Sequence, residues 1–443
     1  QLSSQLGTRV TIKNLRGVFN DFKPKLALQQ IQIHAPQGEA TDLQLQEIHL
    51  GLDLFGALQH SFLEAVQVTL IGAKLSVKRL ASGSIAIIGL PNSDDQQQPT
   101  WLMQGKQYKL VDSDILWQDE KRNAQAIQLK HVNISIHNNK RHKIFINMDL
   151  PETLGQSLEL AMDFTGSMFT PQSIDARLFV QGKNINLAKI ITGDLPFDFT
   201  ITQGHGDFAI WSSWQAAQMV DMSGTVNIHD TTLKGLQKHA LPIDQLDLQF
   251  KLQKQQQQWQ LALQNTTLSS QQITADIAQL AVALEQNEQG KLTQVALNCP
   301  NLNIGQLANM ITANKAFPKD IQQPLQALAV EGYVKDLLFL ANIPEHTFAI
   351  NAQLNKIKFE ASEALPGLKG LSLYIKGTEQ QGDIQLRAQK LTFTAPNLFR
   401  EPLFFKQALG AFHWQQATDN WTLSSPLLTL NSTAFNTDNT FKL

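Results

Sequence analysis

The stretch AIQLKHVNISIHNNKRHKIFINMDL, residues 126–150, decides the fold class. Ile127 and Leu129 alternate with polar residues, and so do Val132, Ile134 and Ile136. After the polar turn HNNKRHK, Ile144, Ile146, Met148 and Leu150 repeat the pattern. Period-two alternation marks strands with one apolar and one polar face, and a basic, Asn-rich turn joins two of them as a hairpin. No amphipathic helix follows to cover the apolar face. What that face packs against is therefore the functional question.

The same pattern recurs outward from this hairpin. In IDQLDLQFKLQKQQQQWQLALQ, residues 243–264, Leu246, Leu248, Phe250 and Leu252 precede a Gln-rich turn, and Trp259, Leu261 and Leu263 follow it. Alternation also marks Val10/Ile12, Leu50/Leu52/Leu54, Val66/Val68/Leu70, Phe348/Ile350/Ala352/Leu354 and Leu428/Leu430. About two dozen strands fit the chain, with turn signals at the spacing of an all-β protein.

Many strands also slip by one residue midway. Examples are Leu26/Leu28 then Ile31/Ile33, Leu43/Leu45 then Ile48/Leu50, Ile127/Leu129 then Val132/Ile134, and Leu354 then Ile357/Phe359. One extra residue is a β-bulge, which keeps both halves facing one side while bending and twisting the strand. Repeated bulges curve a sheet. The alternative is a tight turn at each slip and shorter strands.

Helical signals are few. Leu187, Ile190 and Ile191 suit a short helix near 187–191, and Ile304, Leu307, Met310 and Ile311 suit another near 305–313. They follow similar strand ends, NINLA from 184 and NLNIG from 301, which implies a large degenerate repeat. Residues 92–100, NSDDQQQPT, read as an exposed loop.

Composition excludes several classes. A chain of 443 residues exceeds the size of one compact core. A net charge of −2 argues against a nucleic-acid binder. Cys299 is alone, so no intrachain disulfide can form and no Cys-based metal site exists. No apolar run reaches the length of a membrane-spanning helix, and no signal peptide opens the chain. The abrupt start, QLSSQLGTRVTIKNL, and the end, NTFKL, read as those of a piece of a longer protein.

The sequence offers no Gly-rich phosphate loop, nucleophile elbow or metal-spaced His pair on a helix. His205 in GHGDF reads as a turn residue, and Lys140, Arg141 and Lys143 as a solvated hairpin tip. Trp211 and Trp214 in IWSSW read as residues at the edge of the apolar face. The carboxylate pairs Asp112/Asp114 and Asp119/Glu120 have no apolar pocket in sequence to raise an acid pKa. No enzyme activity, cofactor or metal is expected. The signal lies in the apolar face, which a second sheet, closure into barrels or an apolar ligand could cover. As an open groove, two dozen strands would make a trough roughly 120 Å long. Sharing one face of their hairpins, Val132, Ile134, Ile136, Ile144, Ile146, Leu246, Leu248, Phe250, Leu252, Trp259, Leu261 and Leu263 are its expected lining.

Five stretches resemble the AsmA-like family of bacterial envelope proteins, in the expected order. The first is VTIKNLRGVFNDFKPKLALQQIQIHAP, continued by IHLGLDLFGALQHSFLEAVQVTLIGAKLSVKRLASGSIAIIGL. The second runs from DSDILWQDEKRNAQAIQLKHV to LELAMDFTGS, and the third is GHGDFAIWSSW. The fourth is NLNIGQLANMI with EGYVKDLLF. The fifth is TAPNLFREPLFFKQALGAFHWQQATDNWTLSSPLLTLN.

This resemblance implies a mainly β fold: an elongated, twisted antiparallel sheet curved into an open apolar groove, with a few short helices. It implies one continuous groove segment over 1–443, with an opening module at 1–91 and repeated hairpin modules over 101–443. It also implies a monomeric periplasmic protein, tethered to the inner membrane through an anchor absent from this chain. Such a protein would carry phospholipids, with no nucleic acid partner. The alternative is a β-rich envelope scaffold whose apolar face meets another protein.

Overall fold

The computed structural model describes residues 10–20, 23–33, 43–52, 66–82, 85–88, 103, 105–167, 170–191, 200–234, 240–362, 365–416, 420–433 and 435–442. The expected loop at 92–100 and Leu54 lie outside them. Among the described residues 73% are strand and 8% helical, and the described strands form a mixed sheet of twenty-four. Its contacts divide it into two units, Gln1–Ile190 with Gly206–Val220, and Ile191–His205 with Asp221–Leu443.

The first unit opens with β1 (Val10–Asn20), β2 (Lys23–Ile33), β3 (Leu43–Leu52), β4 (Val66–Ile71), β5 (Lys74–Arg79) and β6 (Ile85–Ile87). Next come β7 (Gln107–Asp119), β8 (Ile127–Asn138), β9 (His142–Asp149), β10 (Ser157–Thr165) and β11 (Asp175–Asn186). A single turn, α1 (Leu187–Ile190), closes β11, and β12 (Thr200–Gln215) has segments in both units.

The second unit holds most of β13 (Gln218–Lys234), then β14 (Ala240–Gln255), β15 (Gln258–Ser270), β16 (Ile273–Gln286) and β17 (Leu292–Asn303). Two helices follow, α2 (Ile304–Ala313) and α3 (Lys319–Leu328). The rest is β18 (Glu331–Asn342), β19 (Thr347–Phe359), β20 (Gly367–Thr378), β21 (Gln381–Thr394), β22 (Leu403–Gln416), β23 (Trp421–Ser432) and β24 (Asn436–Lys442). From β13 to β24 each strand pairs antiparallel with the next, with α2 and α3 between β17 and β18.

The opening stretch forms the expected hairpin: Ile134 faces Ile146 and Ile136 faces Ile144 across β8 and β9. The hairpin of β14 and β15 turns at Gln256, whose φ of 53° suits the tight two-residue loop between Gln255 and Gln258.

One part of the expected topology is corrected. The sheet is mixed, because β4 and β5 both run parallel to β7, with Gln67 opposite Gln107 and Arg79 opposite Asp119. The constant offset makes β4 and β5 one interrupted strand, broken at Gly72 and Ala73. The break sits against a bulge in β7: Gly72 donates to Val111 O at 3.0 Å and Ala73 to Ser113 Oγ at 3.0 Å. Alternation records which face a residue occupies and carries no information on strand direction, so sequence could not supply this pairing.

The mid-strand slips are bulges where a left-handed residue can be seen. Gln30 (φ 55°), His131 (47°) and Lys356 (51°) fall at three of the four predicted slips. β3 slips at the same level as β2 without a positive φ and stays in register with it. Asp112, Asn184, Asp230, Asn265, Asp336 and Lys390 add further left-handed positions inside strands. Asn and Asp tolerate this region best among non-glycine residues.

A bulge frees a backbone amide from the ladder, and side chains take it up. Asn133 Oδ1 accepts from Asp112 N at 3.0 Å, Asp207 Oδ1 from Asn184 N at 2.6 Å, and Ser372 Oγ from Lys356 N at 3.1 Å. Asn133 Nδ2 also donates to His131 O and to Asn147 Oδ1, both at 2.9 Å.

The Asn-led strand ends begin helices as the repeat suggests. Asn186 Oδ1 accepts from Lys189 N at 3.3 Å, and Asn303 Oδ1 accepts from Gln306 N at 3.2 Å. Both are N-caps satisfying an amide that the helix leaves free. After α2, Asn314 is fully buried with both side-chain polar atoms bonded: it accepts from Ser270 Oγ at 3.2 Å and donates to Met310 O at 2.7 Å.

Because Asn133 serves two bulges at once, Asn133→Ala is expected to cost about 1–2 kcal/mol. The local reading is hydrogen exchange at the Asp112 amide, which should accelerate at least tenfold. Unchanged exchange there would show that the bulge does not depend on Asn133.

Candidate functional site

The register sorts side chains onto two faces within each unit. In the first unit one face carries Leu110, Ile134, Ile146, Leu160 and Val180, each directly opposite the next. A neighbouring row is Tyr108, Ile136, Ile144, Met162 and Leu178. In the second unit the corresponding row runs Met222, Leu252, Leu261, Val282, Leu297, Phe339 and Ile350. Beside it lie Gly224, Phe250, Leu263 and Leu280 on one side, and Trp259, Leu284, Val295, Ala341 and Phe348 on the other. These are the first faces of the two units.

The predicted lining residues fall on these faces in their own units. Ile134 meets Ile146, Ile136 meets Ile144, Phe250 meets Leu263 and Leu252 meets Leu261. Leu246 faces Leu268, and Leu248 faces Val226 on β13 and stands at the Asn265 bulge on β15. Trp259 faces Lys254, whose Nζ lies 5.2 Å from the ring centroid, so a cation enters the apolar row under an aromatic face.

Val132 has a different setting from the others. It is 1% exposed, inside a protein-packed cluster with Leu28, Ile31, Leu45, Leu110 and Ile115, and Ile134 packs against that cluster. The remaining ten are half-buried, neither sealed by protein nor fully in water. A second sealed cluster, Ala388, Leu391, Phe405 and Ala408, lies across β21 and β22. Cys299 also sits on the first face at 1% exposure, and burial pushes its thiol pKa up, away from a reactive thiolate.

The other, second face of each unit carries a trough. In the first unit a polar one of about 270 Å³ is bordered by His131, Asn133, Asn147, Asp149, Glu159 and Lys183. His131 Nδ1 lies 2.8 Å from Asp149 Oδ2 there. No cluster of three or more His, Cys, Asp or Glu among the described residues could hold a metal ion.

In the second unit a trough of about 660 Å³ crosses β14 to β20. One bordering row is Lys251, Ala262, Ala281, Asn298, Leu338, Asn351 and Lys376; the other is Gln253, Gln260, Ala283, Ala296, Leu340, Ala349 and Thr378. Leu261, Val282, Leu297, Phe339 and Ile350 stand between the two rows. Lys251 and Gln253 border it while Leu252 between them does not, and neither flanking first-face row contributes. The trough therefore lies on the second face.

Alternation missed this feature because alanines among Gln and Asn do not register as an apolar stripe.

Two further expectations are corrected. His205 lies in strand β12, its ring stacked 6.1 Å from His229, and does not sit in a turn. Trp211 lies on the second face, not at the edge of the first: it packs 4.9 Å from Phe179, which belongs to the row Phe145, Ala161, Phe179. Phe179 gives it a partner on the side that the pattern marks as polar. At the hairpin tip, Arg141 pairs with Asp163, and Asp119 is buried between Arg79 at 3.3 Å and the turn that it caps.

A family model described as YhdP protein matches residues 1–443. The chain belongs to the YhdP family. No curated protein and no solved structure matches it.

The hydrogen bond that His131 donates to the Asp149 carboxylate raises the pKa of His131. Whatever stability the pair adds is present below the ordinary histidine pKa and is lost as pH rises through the raised value. His131 is expected to titrate above a free histidine by NMR, and Asp149→Asn should bring it back. A normal titration in the parent chain would exclude the pair in solution.

Proposed function

We propose that this YhdP-family chain is a non-catalytic lipid conduit, carrying phospholipid acyl chains along the first faces of its strands. The observation that carries this reading is the register of the half-buried rows. Large aliphatic side chains stand directly opposite one another from strand to strand, so the apolar strip crosses the strands instead of following any one of them. A contiguous apolar strip of this kind marks an interaction surface. Acyl chains match its aliphatic chemistry and need no directional hydrogen bonds.

The setting belongs to the same proposal. The chain works in the periplasm, tethered to the inner membrane through a segment outside this sequence, and passes lipid towards the outer membrane. It works as a monomer. The scaffold alternative, in which a protein covers the same rows, makes a different prediction for what is captured there.

Photo-crosslinkers at Leu248 and Leu263, on the first face, are expected to capture phospholipid in cells. The same probes at Gln249 and Gln264, exposed on the second face away from the trough, should not. Capture of protein alone from the first face would replace the conduit with the scaffold.

Transport is tested separately from binding. A charge in an apolar strip is opposed by desolvation on the order of several kcal/mol. Phe250→Asp should therefore lower phospholipid transport at least tenfold in cells that depend on the protein, at normal protein levels. Gln249→Asp places the same charge on the solvated face of the same strand and should leave transport intact. Equal transport by both variants would exclude passage over Phe250.

A further inference from the structure

The conduit reading leaves the second-face trough of the second unit unused. Its two bordering rows are separated by two residues along each strand, about 6.8 Å. An α-helix, about 10 Å across with its side chains, does not fit between them. A peptide strand laid across the sheet would leave its backbone groups unpaired, because the trough offers side chains and no free strand edge. A single extended hydrocarbon chain fits the width and needs no hydrogen bonds.

The floor and ends are chemically distinct. Ala262, Ala283 and Ala296 keep the floor low, and Leu338 and Leu340 stand 46% and 44% exposed beyond it. No Asp or Glu borders the trough. Lys251 stands at the β14 end beside Gln253 and Gln260, opposite Ser223, with no ion pair among the described residues. At the β20 end, Lys376 stands opposite Asp383, whose carboxylate lies 3.1 Å from His413 Nδ1. Neither lysine makes an ion pair among the described residues: Asp383 stands opposite Lys376, and Asp221, opposite Gln253, stands diagonal to Lys251. From Lys251 on β14 to Leu340 on β18 is four strand spacings, about 19 Å.

We propose that this trough binds a single-chain amphiphile with an anionic headgroup, its anion at Lys251 and its chain over the alanine floor towards Leu340. A long-chain fatty acid and an anionic lysophospholipid share this chemistry. The site is separate from the conduit rows, on the opposite face of the same strands, and does not depend on them.

The test uses the full chain, stripped of lipid, with palmitate carrying a photoreactive group near its methyl end and labelled residues mapped by mass spectrometry. Labelling is expected on Leu338 and Leu340. Lys251→Glu should weaken it at least tenfold for palmitate, and less for the neutral alcohol of the same chain length. Ala283→Trp should fill the floor and weaken labelling by both. Competition by unlabelled palmitate and by lysophosphatidylglycerol shows which source binds tighter.

Labelling confined to Val282, Leu297 and Phe339 would overturn the site while leaving the conduit standing. Labelling of Leu338 and Leu340 that ignores both Lys251→Glu and Ala283→Trp would overturn it too. Lys251→Glu changes one exposed side chain, so this arm does not hinge on whether the tryptophan variant folds.

Discussion

The structure depends on single residues, one in each of nine strands, being able to turn left-handed in the middle of a β-ladder. A strand that keeps strict alternation over a dozen residues is stiff and nearly straight. Insert one residue and every later side chain would flip to the other face. A bulge absorbs the insertion, so Leu261 and Leu263 before Asn265 stay on the same side as Thr266 and Leu268 after it. The price is a freed amide and an unfavourable φ. Asp or Asn takes the bend at five of the nine positions, and Asn133, Asp207 and Ser372 act as acceptors on the next strand.

That device makes apolar rows that cross strands, and it decides how they can be covered. Where neighbouring strands bring their rows against one another, as around Val132 and around Ala388, side chains are sealed by protein and form small cores. Elsewhere the rows stay half-buried, because the α-helices with described bounds are one turn after β11 and the pair after β17, beside two 3-10 turns. α2 packs beside β16 and β18, the neighbours of the strand that leads into it. The helices therefore close strand ends and leave the rows uncovered. Small cores fix the fold, and open rows remain for something apolar.

How much of this was legible follows from what alternation encodes. It reports face, so the hairpins around 126–150 and 243–264 and the partners Ile134/Ile146 and Phe250/Leu263 could be read directly. Its interruptions report bulges, and the Asn before each short helix reports a cap. It is silent on direction, so the parallel run of β4 and β5 along β7 was hidden. It is silent on packing depth as well: Val132 and Ile134 look alike in sequence, yet only Val132 is sealed, because β2, β3 and β7 converge on it from sequence positions far away. Alanine gives almost no signal either way, which hid the second-face trough. Trp211 looked like a rim residue because nothing in its own strand announces Phe179.

The two faces differ in a way that bears on movement versus retention. A first-face row offers an acyl chain nearly the same contact at each strand: Leu261, Val282, Leu297, Phe339 and Ile350 differ in shape but not in polarity. A surface on which successive positions have similar free energy gives a ligand no place to stop, and small steps between them suffice for passage. The second-face trough breaks that uniformity within a few strands. It begins at a lysine, crosses small side chains and ends beyond two leucines, so one placement of an anionic amphiphile is better than any shifted by a strand, which would pull the anion off Lys251. On the proposed readings, the same sheet presents a surface suited to transit on one side and a site suited to holding on the other, and the alternation that built the first is what kept the second out of view.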